Sequence, residues 1–171
     1  MDLAHGFATG TYWSDIELSS TWLSWWSNAG DANHMVVSIP MLPKSDTSTT
    51  LAQGATGAYD SHWQAAALHL VAAGMGNAIV RIGWEFNQNW ARWAARNDPV
   101  DYAAYWRHIV TAMRSVPGQS FRFVWCPSAA DMGWDATQAW PGDGYVNIVG
   151  VDSYDFWYNH PDATPELRWN F

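Results

Sequence analysis

The chain has almost no cysteine, few basic residues and no long apolar run. Cys126 is the only cysteine among 171 residues. No internal disulfide can therefore form, and a cysteine-based zinc site is excluded. Lys and Arg number 8 against 16 Asp and Glu, a formal net charge of −8. Phosphate backbones attract Lys and Arg, so this balance argues against nucleic acid and suits a neutral ligand. No uncharged apolar stretch reaches the roughly 18 residues of a transmembrane helix, so no membrane partner is expected. The opening Met1-Asp2-Leu3-Ala4-His5-Gly6 has neither the basic start nor the apolar run of a signal peptide. His5, His34, His69, His108 and His160 show no metal-ligand spacing, and His62 reads as an exposed residue near a helix start. With no Gly-rich phosphate loop and no Ser/His/Asp arrangement, neither a metal nor a cofactor is expected.

Tryptophan is what the chain has in excess: 14 Trp, with 7 Tyr and 6 Phe. Most of these rings read as core. Several sit beside polar or turn residues, as in Trp13-Ser14-Asp15, Asn89-Trp90-Ala91-Arg92-Trp93 and Gly133-Trp134-Asp135. Exposed aromatic faces beside hydrogen-bonding groups bind the apolar faces of sugar rings. Nucleobases also stack on such platforms, but the acidic balance disfavours them.

Gly and Pro punctuate the chain regularly, as in one compact domain spanning residues 1–171. Asp2 to Ala8 reads as a short strand, and a helix is expected around Leu18–Asn28, with Trp22, Trp25 and Trp26. His34–Met41 is β-branched, ends in proline and reads as a buried strand. Residues 44–57 are polar and Gly-rich, a loop. Asp60–Ala73 has helical spacing of Trp63, Ala66, Ala67, Leu70 and Val71; Asp60 reads as its N-cap and Gly74 as its stop. Asn77–Trp84 is a strand, Pro99–Val116 a helix, and Phe121–Pro127 and Tyr145–Asp152 are further strands. Strand and helix alternate, which implies parallel βαβ units. The strands around Ala78 and Val146 are nearly all apolar, as in strands covered on both faces. Glu85, Asn87, Ser128, Asp152 and Asp155 follow the C-terminal ends of strands, where a parallel barrel carries its active site.

The densest signal is Arg81-Ile82-Gly83-Trp84-Glu85-Phe86-Asn87-Gln88-Asn89-Trp90. On an extended segment Arg81, Gly83, Glu85 and Asn87 point the same way. A glutamate at a strand end among Trp84, Phe86 and Trp90 is shielded from water, and desolvation raises a carboxyl pKa as a general acid requires. From spacing alone, two roles stand open for Glu85: a catalytic acid, or a buried carboxylate paired with Arg81.

Arg81, Glu85, Asn87, Trp90 and Trp93 resemble, in order, the acid/base strand of glycoside hydrolase family 26, best known for β-mannanases. Pro141–Asp155 is similar to the sixth strand of that family, and Phe121–Pro127 falls between as the fifth. The resemblance implies a (β/α)8 barrel, present here as about its second to sixth strands, an open partial barrel with exposed strand edges. It implies a retaining endo-hydrolase of a β-linked polysaccharide, most readily β-mannan. β-1,3-Xylan and mixed-linkage β-glucan remain open. Glu85 would protonate the glycosidic oxygen and then serve as base. The nucleophile would stand about 5–5.5 Å away. In the family it is a glutamate ending the seventh strand. The only later glutamate here, Glu166, has no strand signature, so this chain alone is expected to be inactive. Arg81, Trp84, Asn87, Trp90, Trp125, Asp152 and Tyr154 are the candidate substrate-binding residues, with Tyr154 matching an active-site tyrosine that helps position the nucleophile. Trp125 fits the cleft or the core, and Asp152 and Asp155 fit sugar contacts or loop caps. The family commonly has histidine before the acid/base; Trp84 stands there here, which bears on sugar preference. The parent is expected to be a secreted monomer. The rival reading is a non-catalytic carbohydrate-binding protein on a degenerate barrel.

Overall fold

The structure is a computed structural model and describes residues 3–19, 23–24, 35–130 and 133–153. Five strands form one sheet: β1 (Ala4–Phe7), β2 (Met35–Ile39), β3 (Ile79–Ile82), β4 (Arg122–Trp125) and β5 (Ile148–Val149). Their spatial order is their chain order, β1-β2-β3-β4-β5. Every neighbouring pair is parallel, in registers such as Phe7↔Ser38, Ser38↔Arg81, Arg81↔Val124 and Val124↔Ile148. A parallel sheet in unbroken chain order is the strand arrangement of a (β/α)8 barrel. The described helices are α1 (Trp13–Ile16), α2 (Leu51–Ala55), α3 (Asp60–Ala72) and α4 (Pro99–Arg114). Among the described residues, no helix is long and apolar enough to cross a membrane.

Alternation along the strands sorts the side chains onto two faces. Met35, Val37, Ile39, Val80, Ile82, Phe123 and Trp125 face the helices and join the main core. Val36, Ile79, Val124 and Ile148 meet on the opposite, inner face, with Cys126. His5, Phe7, Ser38 and Arg81 share that inner face by register.

α4 starts where Asp98 accepts from the Asp101 amide at 3.1 Å and Pro99 supplies a preset first turn. Its buried stripe of Tyr102, Tyr105, Trp106, Ile109, Val110 and Met113 is the predicted one. α3 ends before Gly74, whose φ of +79° favours glycine. The N-cap of α3 is Tyr59, not Asp60; Asp60 is in the first turn and its carboxylate lies 3.2 Å from His108 Nδ1. The expected exposure of His62 gives way to a stack on Trp13, with ring centroids 4.0 Å apart, and a 2.6 Å contact with Glu17.

Three further expectations change. The loop expected at 44–57 contains α2, because the Thr50 side chain caps it by accepting from the Gln53 amide. Gly54 presses against the Tyr105 ring, where a Cβ would come within 2.4 Å. Leu18 does not begin the expected helix: its φ is +57°, in a turn after α1, whereas Leu23 and Ser24 within the expected stretch are helical. Trp22, Trp25 and Trp26 lie outside the described residues. At β5 the regular ladder is short, preceded by a 3₁₀ turn at Asp143–Tyr145. Backbone bonds continue it, from Gly150 N to Trp125 O and from Asp152 N to Pro127 O, both 2.9 Å. Both faces are not covered there: Val149 and Val151 are each 59% exposed. Among the described residues only β4 pairs with β5, which makes β5 an edge strand of the sheet.

Candidate active site

The chain leaves β3 by a sharp turn. Gly83 has φ +46° and Glu85, unusually for a residue with a side chain, φ +52°. Such a conformation costs a non-glycine residue about 1–2 kcal/mol. Here it is held by backbone bonds from Gly83 N to Ile39 O (3.0 Å) and from Glu85 N to Cys126 O (2.8 Å). Extended alternation therefore stops at Ile82, and Arg81, Gly83, Glu85 and Asn87 do not share one direction.

Arg81 is buried on the inner face of β3. It donates to Ser38 Oγ at 3.1 Å and forms an ion pair with Asp152, beyond β5. Its guanidinium carbon lies 5.8 Å from the Phe7 ring centroid and 5.3 Å from that of Trp84. Arg81 thus pairs with Asp152 and not with Glu85. Burial pushes the Cys126 thiol up, against a smaller opposing effect of Arg81. The thiol keeps its proton and donates to Asp152 Oδ1 at 3.4 Å.

Glu85 itself is 9% exposed and accepts from Trp90 Nε1 at 3.2 Å. Trp90 is 55% exposed and meets Trp93 edge to face, with centroids 5.7 Å apart. Trp93 is buried and donates its indole N–H to Trp84 O at 2.8 Å. Phe86 turns into the core against Tyr102 and Trp125.

Asn87 is buried and reads the backbone of Ser128 in both directions. Its Nδ2 donates to Ser128 O (2.9 Å), and its Oδ1 accepts from Ser128 N (2.8 Å). The clasp joins the loops after β3 and β4 and borders an open cleft of about 480 Å³ that includes Trp134 and Asp135. Trp125 packs on Phe86 and Trp140 in the core; its indole N–H has no partner among the described residues. Tyr154, Asp155 and Glu166 lie outside the described residues.

The structure thus gathers Arg81, Trp84, Glu85, Asn87, Trp90 and Asp152 at the C-terminal ends of the strands. Sequence reasoning missed Phe7, Ser38 and Arg92 there. Arg92 donates to Pro43 O, Asp46 O, Thr49 Oγ1 and Thr49 O, tying the Trp90 loop to the loop after β2. The register Phe7↔Ser38↔Arg81 carries the first two and is invisible until the strands are paired.

A parallel arc of strands carries a shielded carboxylate, Glu85, just past a C-terminal strand end, the face on which a parallel barrel builds its active site. The sequence profile of Glycosyl hydrolase family 26 matches residues 77–165, more than half of the 171-residue chain, and the chain belongs to that family. The matched region contains β3, β4, β5 and the residues around Glu85. Among solved structures, the YdhT protein from Bacillus subtilis superposes with TM-score 0.61 at 19% identity, covering 88% of this chain and 54% of that one. A family 26 β-mannanase from Bacteroides ovatus gives TM-score 0.60 at 16% identity, covering 83% and 50%. The catalytic domain of a family 26 endo-β-1,4-mannanase from a Bacillus species gives 0.57 at 25% identity, covering 84% and 41%. The fold is accordingly part of a (β/α)8 barrel, and the chain spans about half the length of these structures or less. No curated protein matches the chain in sequence.

Proposed function

We propose that the chain carries the acid/base half of a retaining endo-glycoside hydrolase site acting on β-mannan. Glu85 protonates the glycosidic oxygen as the bond breaks, and then removes a proton from the water that releases the glycosyl-enzyme intermediate. A second carboxylate, about 5–5.5 Å from Glu85 on the other side of the sugar, attacks the anomeric carbon. It is not among the described carboxylates assigned above. Trp90, largely exposed beside Glu85, offers an apolar ring face to a pyranose, and Asp152 holds Arg81 instead of binding sugar directly.

The observation that carries this reading is the placement of Glu85. It stands at the C-terminal end of β3, strained, shielded and hydrogen-bonded to an exposed tryptophan, within the region that matches the family. Mannan as substrate is supported by the mannanases among the structural neighbours. A polysaccharide is too large to cross a membrane, so the protein meets it outside the cell.

The test is hydrolysis of β-mannan by the 171-residue chain and by a version carrying whatever its gene encodes on either side. Reducing ends should appear only when a second carboxylate is supplied. Full activity from the 171 residues would overturn the missing-nucleophile part of the proposal. Sugar binding without hydrolysis in both forms would make the protein a carbohydrate-binding barrel.

A further inference from the structure

Five side chains, one from each strand or its extension, make an unbroken polar chain across the inner face of the sheet. His5 on β1 lies with Nε2 2.8 Å from Ser38 Oγ on β2. Arg81 on β3 donates to that same oxygen and pairs with Asp152 beyond β5. Cys126, following β4, donates to the other oxygen of Asp152.

Proton accounting fixes the polarity of the Ser38 end. A guanidinium has donors only, so Ser38 Oγ must accept from Arg81. Ser38 is fully buried and its hydroxyl has one proton to place. Among the described residues the only acceptor within reach of that proton is His5 Nε2. If His5 carried its own proton on Nε2, two donors would converge on one oxygen and the hydroxyl proton would be stranded, which buried polar groups avoid.

We propose that Ser38 and His5 are positioning residues for Arg81: Ser38 passes hydrogen-bond polarity from the guanidinium to a neutral His5 that carries its proton on Nδ1. Partial burial, and then the Arg81 charge, hold His5 below the ordinary histidine range, with Asp152 opposing. Arg81 and Asp152 are the charged groups that act on His5; β2 contributes only the hydroxyl of Ser38, and the Phe7 ring lies tilted against the imidazole, centroids 4.4 Å apart. Protonating His5 turns Nε2 into a donor and sets a second cation against the hydroxyl that holds Arg81. The guanidinium, set between Phe7 and Trp84, then loses its Ser38 anchor. The relay bears on hydrolysis only through the proposed role of Glu85, but its existence does not depend on it.

The test is a long-range proton–nitrogen correlation spectrum of the ¹⁵N-histidine-labelled chain, recorded across about pH 4–8, a range that spans ordinary histidine titration. His5 is assigned by the signals missing in His5→Gln. At neutral pH, His5 should show a protonated Nδ1 and an unprotonated Nε2, and its titration midpoint should lie below that of ordinary histidines. Ser38→Ala should shift the proton to Nε2 and raise the midpoint; Arg81→Met should raise the midpoint too. An Nε2-protonated His5 in the unaltered chain overturns the proposal, as does a tautomer indifferent to Ser38→Ala. The unaltered chain decides alone if Ser38→Ala fails to fold. No arm uses hydrolysis, so failure of the Glu85 reading leaves this result intact, and the reverse holds.

Discussion

Trp90 donates its indole N–H to Glu85 Oε2 across 3.2 Å, the one side-chain hydrogen bond that reaches this carboxylate among the described residues. An indole nitrogen can only donate, so it always presents a proton to the carboxylate. The orientation of Trp90 comes in turn from Trp93, against which it packs edge to face. Trp93 is fixed by its bond to the Trp84 carbonyl. A run of tryptophans thus aims one glutamate.

Trp90→Phe separates the ring from its donor. Phenylalanine keeps an apolar face for sugar but cannot bond Glu85. In a hydrolytically active form, kcat should fall by about 10–150-fold, the effect of losing roughly 1.5–3 kcal/mol of a hydrogen bond to a charged group. KM should change little. Trp90→Ala should lower sugar affinity as well. An unchanged kcat in Trp90→Phe would mean that the bond does not orient the acid.

Glu85 sets function against stability. Glu85→Gln should cost about 10²–10⁴-fold in activity, the usual worth of a general acid/base, while sugar binding persists. Glu85→Gly should be inactive too, yet no less stable. Relief of the strain at φ +52° is worth about 1–2 kcal/mol, and the extra chain entropy of glycine takes back about 0.5–1. Urea unfolding of the two variants checks this. A Glu85→Gly chain destabilised by more than about 1 kcal/mol would show that the backbone there is not strained.

The order and type of the long elements were legible in the sequence because their patterns are local. The helical stripe of Tyr102, Tyr105, Trp106 and Ile109 and the apolar run of β3 each lie within one segment. α2 was not legible, since five residues carry little pattern and its burial depends on Tyr105, some fifty positions away. The place of Glu85 just past an apolar strand, shielded by its neighbours, was legible, but its direction was misjudged. Alternation holds only for extended backbone, and positive φ at Gly83 and Glu85 breaks it. The partner of Arg81 was equally hidden, as Asp152 is 71 positions away and only strand pairing brings it near.

Arg92 should behave as the anchor of the loop after β2. Its planar fork serves acceptors on Pro43, Asp46 and Thr49 at once, a geometry that lysine cannot copy. Arg92→Lys should speed amide exchange across residues 44–49 by at least about tenfold, equivalent to ~1.4 kcal/mol of lost local stability. Exchange in α4 should hardly change. If the loop stays as protected as before, the anchor lies elsewhere.

Tyr105 links the core to the strand ends through a bond in each direction. Its hydroxyl donates to Met41 O and accepts from Trp63 Nε1, both at 2.9 Å, in a fully buried setting. Tyr105→Phe strands a carbonyl and an indole N–H, and should cost about 2–4 kcal/mol. Alkali tests the same site. Burial pushes the Tyr105 and Tyr102 hydroxyls far above the ordinary tyrosine range, with the Trp63 bond a small opposing effect at Tyr105. In the unfolded chain both ionise near pH 10, whereas in the folded chain they stay protonated well beyond it. Their contribution to stability is therefore complete below about pH 10 and declines above it, because the unfolded state loses protons first. The urea midpoint should fall steeply above about pH 10 in the unaltered chain, and less steeply in Tyr105→Phe, which has one fewer proton to release. Equal slopes would mean that Tyr105 ionises as readily folded as unfolded, which a hydroxyl buried between Met41 and Trp63 cannot do without opening that core.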